Sequence, residues 1–411
     1  MHMKIDIKPK YWWAKSIILF LVVGWLGCQN KSIEETKTRS IFELRMDVIA
    51  DEFLQKASAL TYDTMAIPRS LEKDGSLKST RSSSWTSGFY SGSLWQLYEW
   101  SKEPKLKDLA IQWMKPIEKE KLDSTTHDLG FKLYCSYGHA FGITGRSEYK
   151  EVFLQAAETL ITRFNPNVGA IRSWDHHQEE WKYPVIVDNM LNLELLFEAT
   201  KMTGDSTFYY LAVAHATTTM NNHFREDNSS YHVVSFDPSS GKVEKKNTHQ
   251  GAHHESSWSR GQAWGLYGFT MAYRYTKKDV FLRQAEKIAS YIMSHPNLPS
   301  DGIPYWDFDA PAIPDEPRDV SAAAVTASAL LELCDYSPGN VKDYITLVDK
   351  ILMSLEQEKY QAIKGPFILD HSVGSVPGEF EVDVPITYAD YYYLEALQRR
   401  IKHTQSQVQK I

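Results

Sequence analysis

Asp319-Val320-Ser321-Ala322-Ala323-Ala324-Val325-Thr326-Ala327-Ser328-Ala329-Leu330-Leu331 carries no charge after its first residue, and small or apolar side chains fill almost every position. A helix that is apolar and small on most faces is a buried helix. The next periodic segment reads differently. Tyr344, Leu347, Val348, Ile351, Leu352 and Leu355 recur at helical spacing, with Lys and Asp on the other face, the pattern of an amphipathic helix laid on a core. One buried helix followed by one amphipathic helix is the unit from which the rest of the chain is built.

Working outward, buried-type segments lie near 85–100, 128–143, 188–200, 260–275, 319–334 and 387–401, rich in Gly, Ala, Tyr and Trp and poor in charge. Amphipathic segments alternate with them, such as Tyr149, Val152, Phe153, Ala156, Leu160 and Phe164, or Phe281, Ala285, Ile288, Ala289 and Ile292. Six such pairs form an irregular helical-hairpin repeat. The simplest closed packing is all-α, an (α/α)6 toroid with the buried set inside and the amphipathic set outside. The inner helices of such a toroid run the same way, so their N-termini share one mouth. The long stretches without helical pattern, about 62–84, 165–187, 225–259, 296–318 and 359–386, each precede an inner helix. Long connections in a compact domain are usually functional.

Composition narrows the function. Net charge is −7 with no long basic run in the mature part, so nucleic acid is not an expected partner. Converging helix N-termini suit a carboxylate or sulfate all the same. The aromatic share of 13% suits stacking on sugar faces, although core filling accounts for most of it. Residues 1–27 read as a signal peptide: Lys4, Lys8, Lys10 and Lys15 precede an apolar stretch from Ser16 to Leu26. Trp25-Leu26-Gly27-Cys28 resembles a lipoprotein signal with Cys28 as the lipidation candidate. The expected layout is then a linker over 28–40, one catalytic domain over 41–402 and a tail over 403–411. An exported protein of the cell envelope, periplasmic or held to a membrane only by its lipid, is the expected location. Cys135 and Cys334 lie in apolar helical patterns and read as buried thiols.

The mouth positions carry the chemistry. Trp85 opens the first inner helix, His127-Asp128 the second and Asp188 the third. Trp174 lies in the loop before Asp188. His232, Gln250, Arg260 and Trp264 come from the fourth long connection and the helix after it. Two carboxylates on one rim suit general acid/base work, because a second nearby charge and partial burial raise one of the two pKa values. Asp is also a preferred N-cap, so helical spacing alone leaves both readings open. His253-His254-Glu255 invites a metal, but adjacent histidines seldom point the same way and spacing places no third ligand. No metal or cofactor is expected.

His127-Asp128-Leu129-Gly130-Phe131, Val187-Asp188-Asn189-Met190-Leu191-Asn192 and Trp258-Ser259-Arg260-Gly261-Gln262-Ala263-Trp264-Gly265 resemble the hallmark segments of unsaturated glucuronyl hydrolases, glycoside hydrolase family 88. The resemblance spans about residues 40 to 400. It implies an (α/α)6 fold and removal of a terminal C4=C5-unsaturated uronic acid from glycosaminoglycan oligosaccharides left by a polysaccharide lyase. By the same resemblance Asp188 is the general acid/base and Asp128 its partner. His127, His232 and Gln250 belong to the pocket, Arg260 contacts substrate or braces the site, Trp85 and Trp174 stack on sugars, and Trp264 lines the pocket. Ser372-Val373-Gly374-Ser375 lies where sulfate-preferring members make downstream contacts. Two other readings stay open: unsaturated rhamnogalacturonyl hydrolysis in pectin breakdown, and a surface glycan-binding lipoprotein without activity.

Overall fold

The computed structural model describes residues 39–408. The segment read as a signal peptide, Cys28 and most of the segment read as a linker over 28–40 lie outside the described residues. The body of the chain, Ser40 onward, is one compact unit.

Helices alternate between two layers. The outer and inner members of the first half are α1 (Ile41–Ser58), α2 (Ser87–Ser101), α3 (Pro104–Met114), a π-helical run Gly130–Gly138 continuing into α4 (His139–Thr144), α5 (Ser147–Ile161) and α6 (Asn189–Thr203). The second half adds α7 (Ser206–Asn222), α8 (Ser259–Thr276), α9 (Asp279–Ser294), α10 (Val320–Leu333), α11 (Val341–Leu355) and α12 (Thr387–Val408). The inner set packs in cyclic order: α2 on the π-helical run, that run on α6, α6 on α8, α8 on α10, α10 on α12, and α12 back on α2. The ring is closed. This is the (α/α)6 barrel expected from the alternation.

Burial follows the sequence pattern. Every residue of α10 is buried, as its small, apolar composition demands. On α11 the six apolar residues named above are all buried, and truncating any of the leucines among them to Ala would cost about 2–5 kcal/mol. Cys135 and Cys334 are free thiols, both buried.

Two details differ from the sequence reading. The helix α12 runs on to Val408, so most of the segment read as a tail over 403–411 is helix; Gln405 there donates to Glu43 of α1 at 3.0 Å. The long connections are also not structureless. They hold nine short antiparallel strands: ribbons of β1 (Ile67–Leu71) with β2 (Leu77–Thr80) and of β3 (Phe164–Asn165) with β4 (Ala170–Ile171), and a three-stranded sheet of β5 (Pro184–Ile186), β6 (Val233–Phe236) and β7 (Val243–Asn247). A third ribbon, β8 (Ser372–Ser375) with β9 (Phe380–Val384), lies before α12. Strands of two to five residues are too short to show a period-2 signal.

Candidate active site

The sheet register sets the first relationship. Ile186 of β5 pairs with Val233 of β6, and the Val187 N–H donates to the His232 carbonyl at 3.1 Å. Asp188, two residues past β5, and His232, one residue before β6, are thereby held side by side. Nε2 of His232 stands 3.5 Å from Oδ2 of Asp188. Nδ1 of His232 accepts the backbone N–H groups of His249 and Gln250, both at 3.2 Å. A nitrogen that accepts carries no proton, so the hydrogen of the neutral ring is on Nε2, facing Asp188.

Asp128 reaches the same place from the neighbouring helix. Gly130 packs directly on α6; a Cβ there would sit 2.6 Å from Cα of Asn192. The Asn192 side chain accepts the Phe131 N–H at 2.9 Å. This close approach brings the starts of the π-helical run and α6 together, and with them Asp128 and Asp188. Asp128 accepts from the Thr126 hydroxyl at 2.7 Å and lies 3.2 Å from Nε2 of His127. Behind it the buried Lys132 ammonium pairs with Asp123 at 2.8 Å. A π-helical segment is rare and recurs at functional sites.

Neither aspartate caps its helix. Asp188 holds the first position before α6 but its side chain makes no capping bond, and Asp128 turns to Thr126 and His127 instead. Asp319, by contrast, accepts from the N–H groups of Ser321 and Ala322 at the start of α10. The ambiguity left by spacing is thus resolved residue by residue.

The electrostatics separate the pair. Burial raises Asp188 to about 7, more than His127 and Arg260 lower it, and the charge of Asp128 adds to the rise. Burial also pushes Asp128 upward, but His127, the Thr126 hydroxyl and Lys132 outweigh it and leave Asp128 below the ordinary carboxylate value. Burial holds His232 well below its ordinary value, so it is neutral at pH 7. One carboxylic acid able to hold a proton near neutrality beside one ionised carboxylate is an acid/base pair. Several buried polar atoms here have no partner among the described protein atoms: Oδ2 of Asp188, Nε2 of His232, Nδ1 of His127 and Nε1 of Trp174. Such a concentration is what a polar ligand would satisfy.

The Glycosyl Hydrolase Family 88 model matches residues 61–303. The chain belongs to this family. An unsaturated glucuronyl hydrolase of Formosa agariphila is 43% identical, covering 94% of this chain and 98% of its own. An unsaturated chondroitin disaccharide hydrolase of Streptococcus pneumoniae is 34% identical, over 77% of this chain and 82% of its own. Among solved structures, an unsaturated glucuronyl hydrolase specific for heparin superposes with a TM-score of 0.85 at 44% identity, over 89% of this chain and 98% of that one. This family 88 member is therefore a glycosidase.

The remaining sequence candidates fall into distinct places in the family 88 site. Arg260 is a brace. It is buried, donates to Asp319 at 3.0 Å and to the Gly374 carbonyl at 2.8 Å, and also holds the Val373 carbonyl. It ties α8 to the start of α10 and to β8. Gln250 donates to the same Gly374 carbonyl at 2.8 Å. Trp264 is fully buried against Phe131 and Tyr392. Trp85 is half-buried on Tyr388, 4.9 Å between centroids. Trp174 is bridged by its backbone to Thr126, next to His127 and Asp128. Among the described residues, His253 and His254 join no group of three or more potential metal ligands.

Residues not singled out from the sequence complete the site. Thr126 and Lys132 set Asp128, as shown above. Trp258 covers the ring of His232 at 4.5 Å and stacks under the Arg260 guanidinium at 4.6 Å. A hydroxyl two residues before an acidic helix start could have been noticed; the Trp258 contact could not, because it forms only when the 225–259 connection folds back on itself.

Proposed function

We propose that this family 88 enzyme removes the terminal C4=C5-unsaturated uronic acid from glycosaminoglycan-derived oligosaccharides by hydrating the vinyl ether. The observation that carries the reading is Asp188: buried, uncapped and raised to about 7, beside an Asp128 held ionised. Protonated Asp188 gives its proton to C4, and the positive charge that forms is shared by C5 and the ring oxygen. Asp128 stays negative and stabilises that charge. Water adds to C5 and loses a proton to the Asp188 carboxylate, which restores the acid. The hemiketal at C5 then opens, and the hemiacetal left at C1 releases the rest of the sugar chain. The name of the Formosa agariphila relative and the heparin specificity of the solved structure support the substrate class.

The test is a panel of unsaturated disaccharides from heparin, chondroitin and rhamnogalacturonan. Hydration consumes the conjugated chromophore, so ultraviolet absorbance falls on the first two. Loss on the rhamnogalacturonan product alone would favour the pectin reading, and binding without loss would leave a glycan-binding protein. The proposal extends to location: export and lipidation at Cys28, supported by the basic and apolar segments before it. Mass spectrometry of the N-terminus from native membranes tests it, and an unmodified Cys28 overturns it.

A further inference from the structure

Ser173 stands between the two stretches of chain that carry the aspartates. It lies two residues past β4 and is completely buried. Its N–H donates to the Pro184 carbonyl at 2.8 Å, and its carbonyl accepts the His127 N–H at 3.0 Å. Its hydroxyl oxygen accepts the Ile186 N–H at 2.9 Å. A parallel ladder along this edge of β5, the edge strand of its sheet, would send the Ile186 N–H to the Ser173 carbonyl. That carbonyl serves His127, and the hydroxyl takes its place on Ile186. One residue thereby fastens the chain one position before Asp128 and the chain two positions before Asp188.

The flanking residues are fixed as well. The Ile171 N–H donates to Nδ1 of His215 on α7 at 3.0 Å, and the Ile171 carbonyl accepts from Asn189, the first residue of α6, at 3.2 Å. His215 and Asn189 are wholly buried. Trp174 is bridged to Thr126, whose hydroxyl donates to Asp128. The stretch from Ile171 to Trp174 is thus held at both ends, with Ser173 inside it. None of the reaction steps above uses Ser173.

We infer that Ser173 is a positioning residue that sets the separation of Asp128 and Asp188 through its carbonyl and its hydroxyl, a role that rests on the acid/base assignment argued above. The carbonyl link survives substitution, whereas the hydroxyl link is lost in Ser173→Ala and kept in Ser173→Thr. Without the hydroxyl the buried Ile186 N–H has no acceptor, and the end of β5 must shift to reach water. Asp188 moves with it. The ionisable groups facing Asp188 are His127, Asp128, Arg260 and His232, and none of their side chains bonds the Ser173 hydroxyl. A change at Asp188 therefore reports the shift of β5.

Two readouts test the role, one of them without substrate. Burial and the charge of Asp128 both raise Asp188, so a wetter Asp188 further from Asp128 should lose its proton at lower pH. On an unsaturated disaccharide, Ser173→Ala should lower kcat about 10–100-fold with KM within about threefold of wild type. Its basic limb should move down from about 7. Ser173→Thr should keep the wild-type limb, even where its added methyl lowers the melting temperature. The second readout is melting at pH 8. Asp188→Asn should raise the melting temperature less in the Ser173→Ala background than in wild type, because a hydrated carboxylate costs less to ionise. An unshifted limb in an active Ser173→Ala enzyme, or an undiminished gain in melting temperature, overturns the role. If wild type turns over no unsaturated disaccharide while that gain still shrinks, the activity fails and the positioning role stands.

Discussion

Nε2 of His232 faces Oδ2 of Asp188 at 3.5 Å, while its Nδ1 is committed to two backbone N–H groups. The ring is therefore a fixed donor and does not trade protons. Its N–H favours the ionised form of Asp188, and 3.5 Å is long for a hydrogen bond in the free enzyme, so the contact gains most once Asp188 has given up its proton. His232→Phe keeps the stacking on Trp258 and removes the donor. The acid should then bind its proton more tightly: the basic limb of the kcat/KM profile moves up, and kcat falls about 10–100-fold. An unshifted limb would show that His232 acts only through packing.

The wild-type profile follows from the two carboxylates. The competent form has Asp188 protonated and Asp128 ionised. Activity should fall as pH rises through about 7, where Asp188 loses its proton. On the acid side it should hold until below the ordinary carboxylate range, because Asp128 is shifted down. The two limbs belong to the coupled pair as a whole. Steady-state rates on an unsaturated disaccharide from pH 3 to 9 check this, and a basic limb near the ordinary carboxylate value would remove Asp188 as the acid.

Asp188 also costs stability. Its folded pKa of about 7 lies above the unfolded 3.8, so the folded state binds the extra proton between those values. Stability is highest with the group protonated and declines as pH rises from about 4 through about 7. The three-unit difference sets a ceiling of about 4 kcal/mol at higher pH. Asp188→Asn should lower kcat about 10²–10⁴-fold yet melt at a higher temperature than wild type at pH 8, with the difference shrinking at pH 5. Equal melting at both pH values would mean that the carboxylate is not desolvated.

The barrel was legible because its helices differ in kind: α10 has nothing for water to meet, and α11 has one apolar stripe. The aspartates were legible as candidates and not as a pair, since spacing along the chain does not separate a capping Asp319 from an uncapped Asp188. That distinction needs the β5–β6 register and the Gly130 contact, both set by residues far apart in sequence. Trp258 left no trace as a partner of His232, because that contact exists only after the 225–259 connection folds back on itself.

The contact between Gly130 and Asn192 is where fold and chemistry meet. A methyl group on Gly130 would lie 2.6 Å from Cα of Asn192, a backbone atom that cannot rotate away. The π-helical run and α6 must then separate, and Asp128 and Asp188 separate with them. Overpacking of this sort costs about 1–3 kcal/mol, and displacement by about 1 Å in a positioned pair costs on the order of 100-fold in rate. Gly142→Ala is the matched control, in α4 of the same inner element with nothing within 4 Å of the added carbon; helix propensity favours it by about 1 kcal/mol. Gly130→Ala should therefore lose both melting temperature and kcat, while Gly142→Ala keeps its rate and gains slightly in stability. If Gly130→Ala retained wild-type kcat, the spacing of the two helix starts would have no part in setting the acid/base pair.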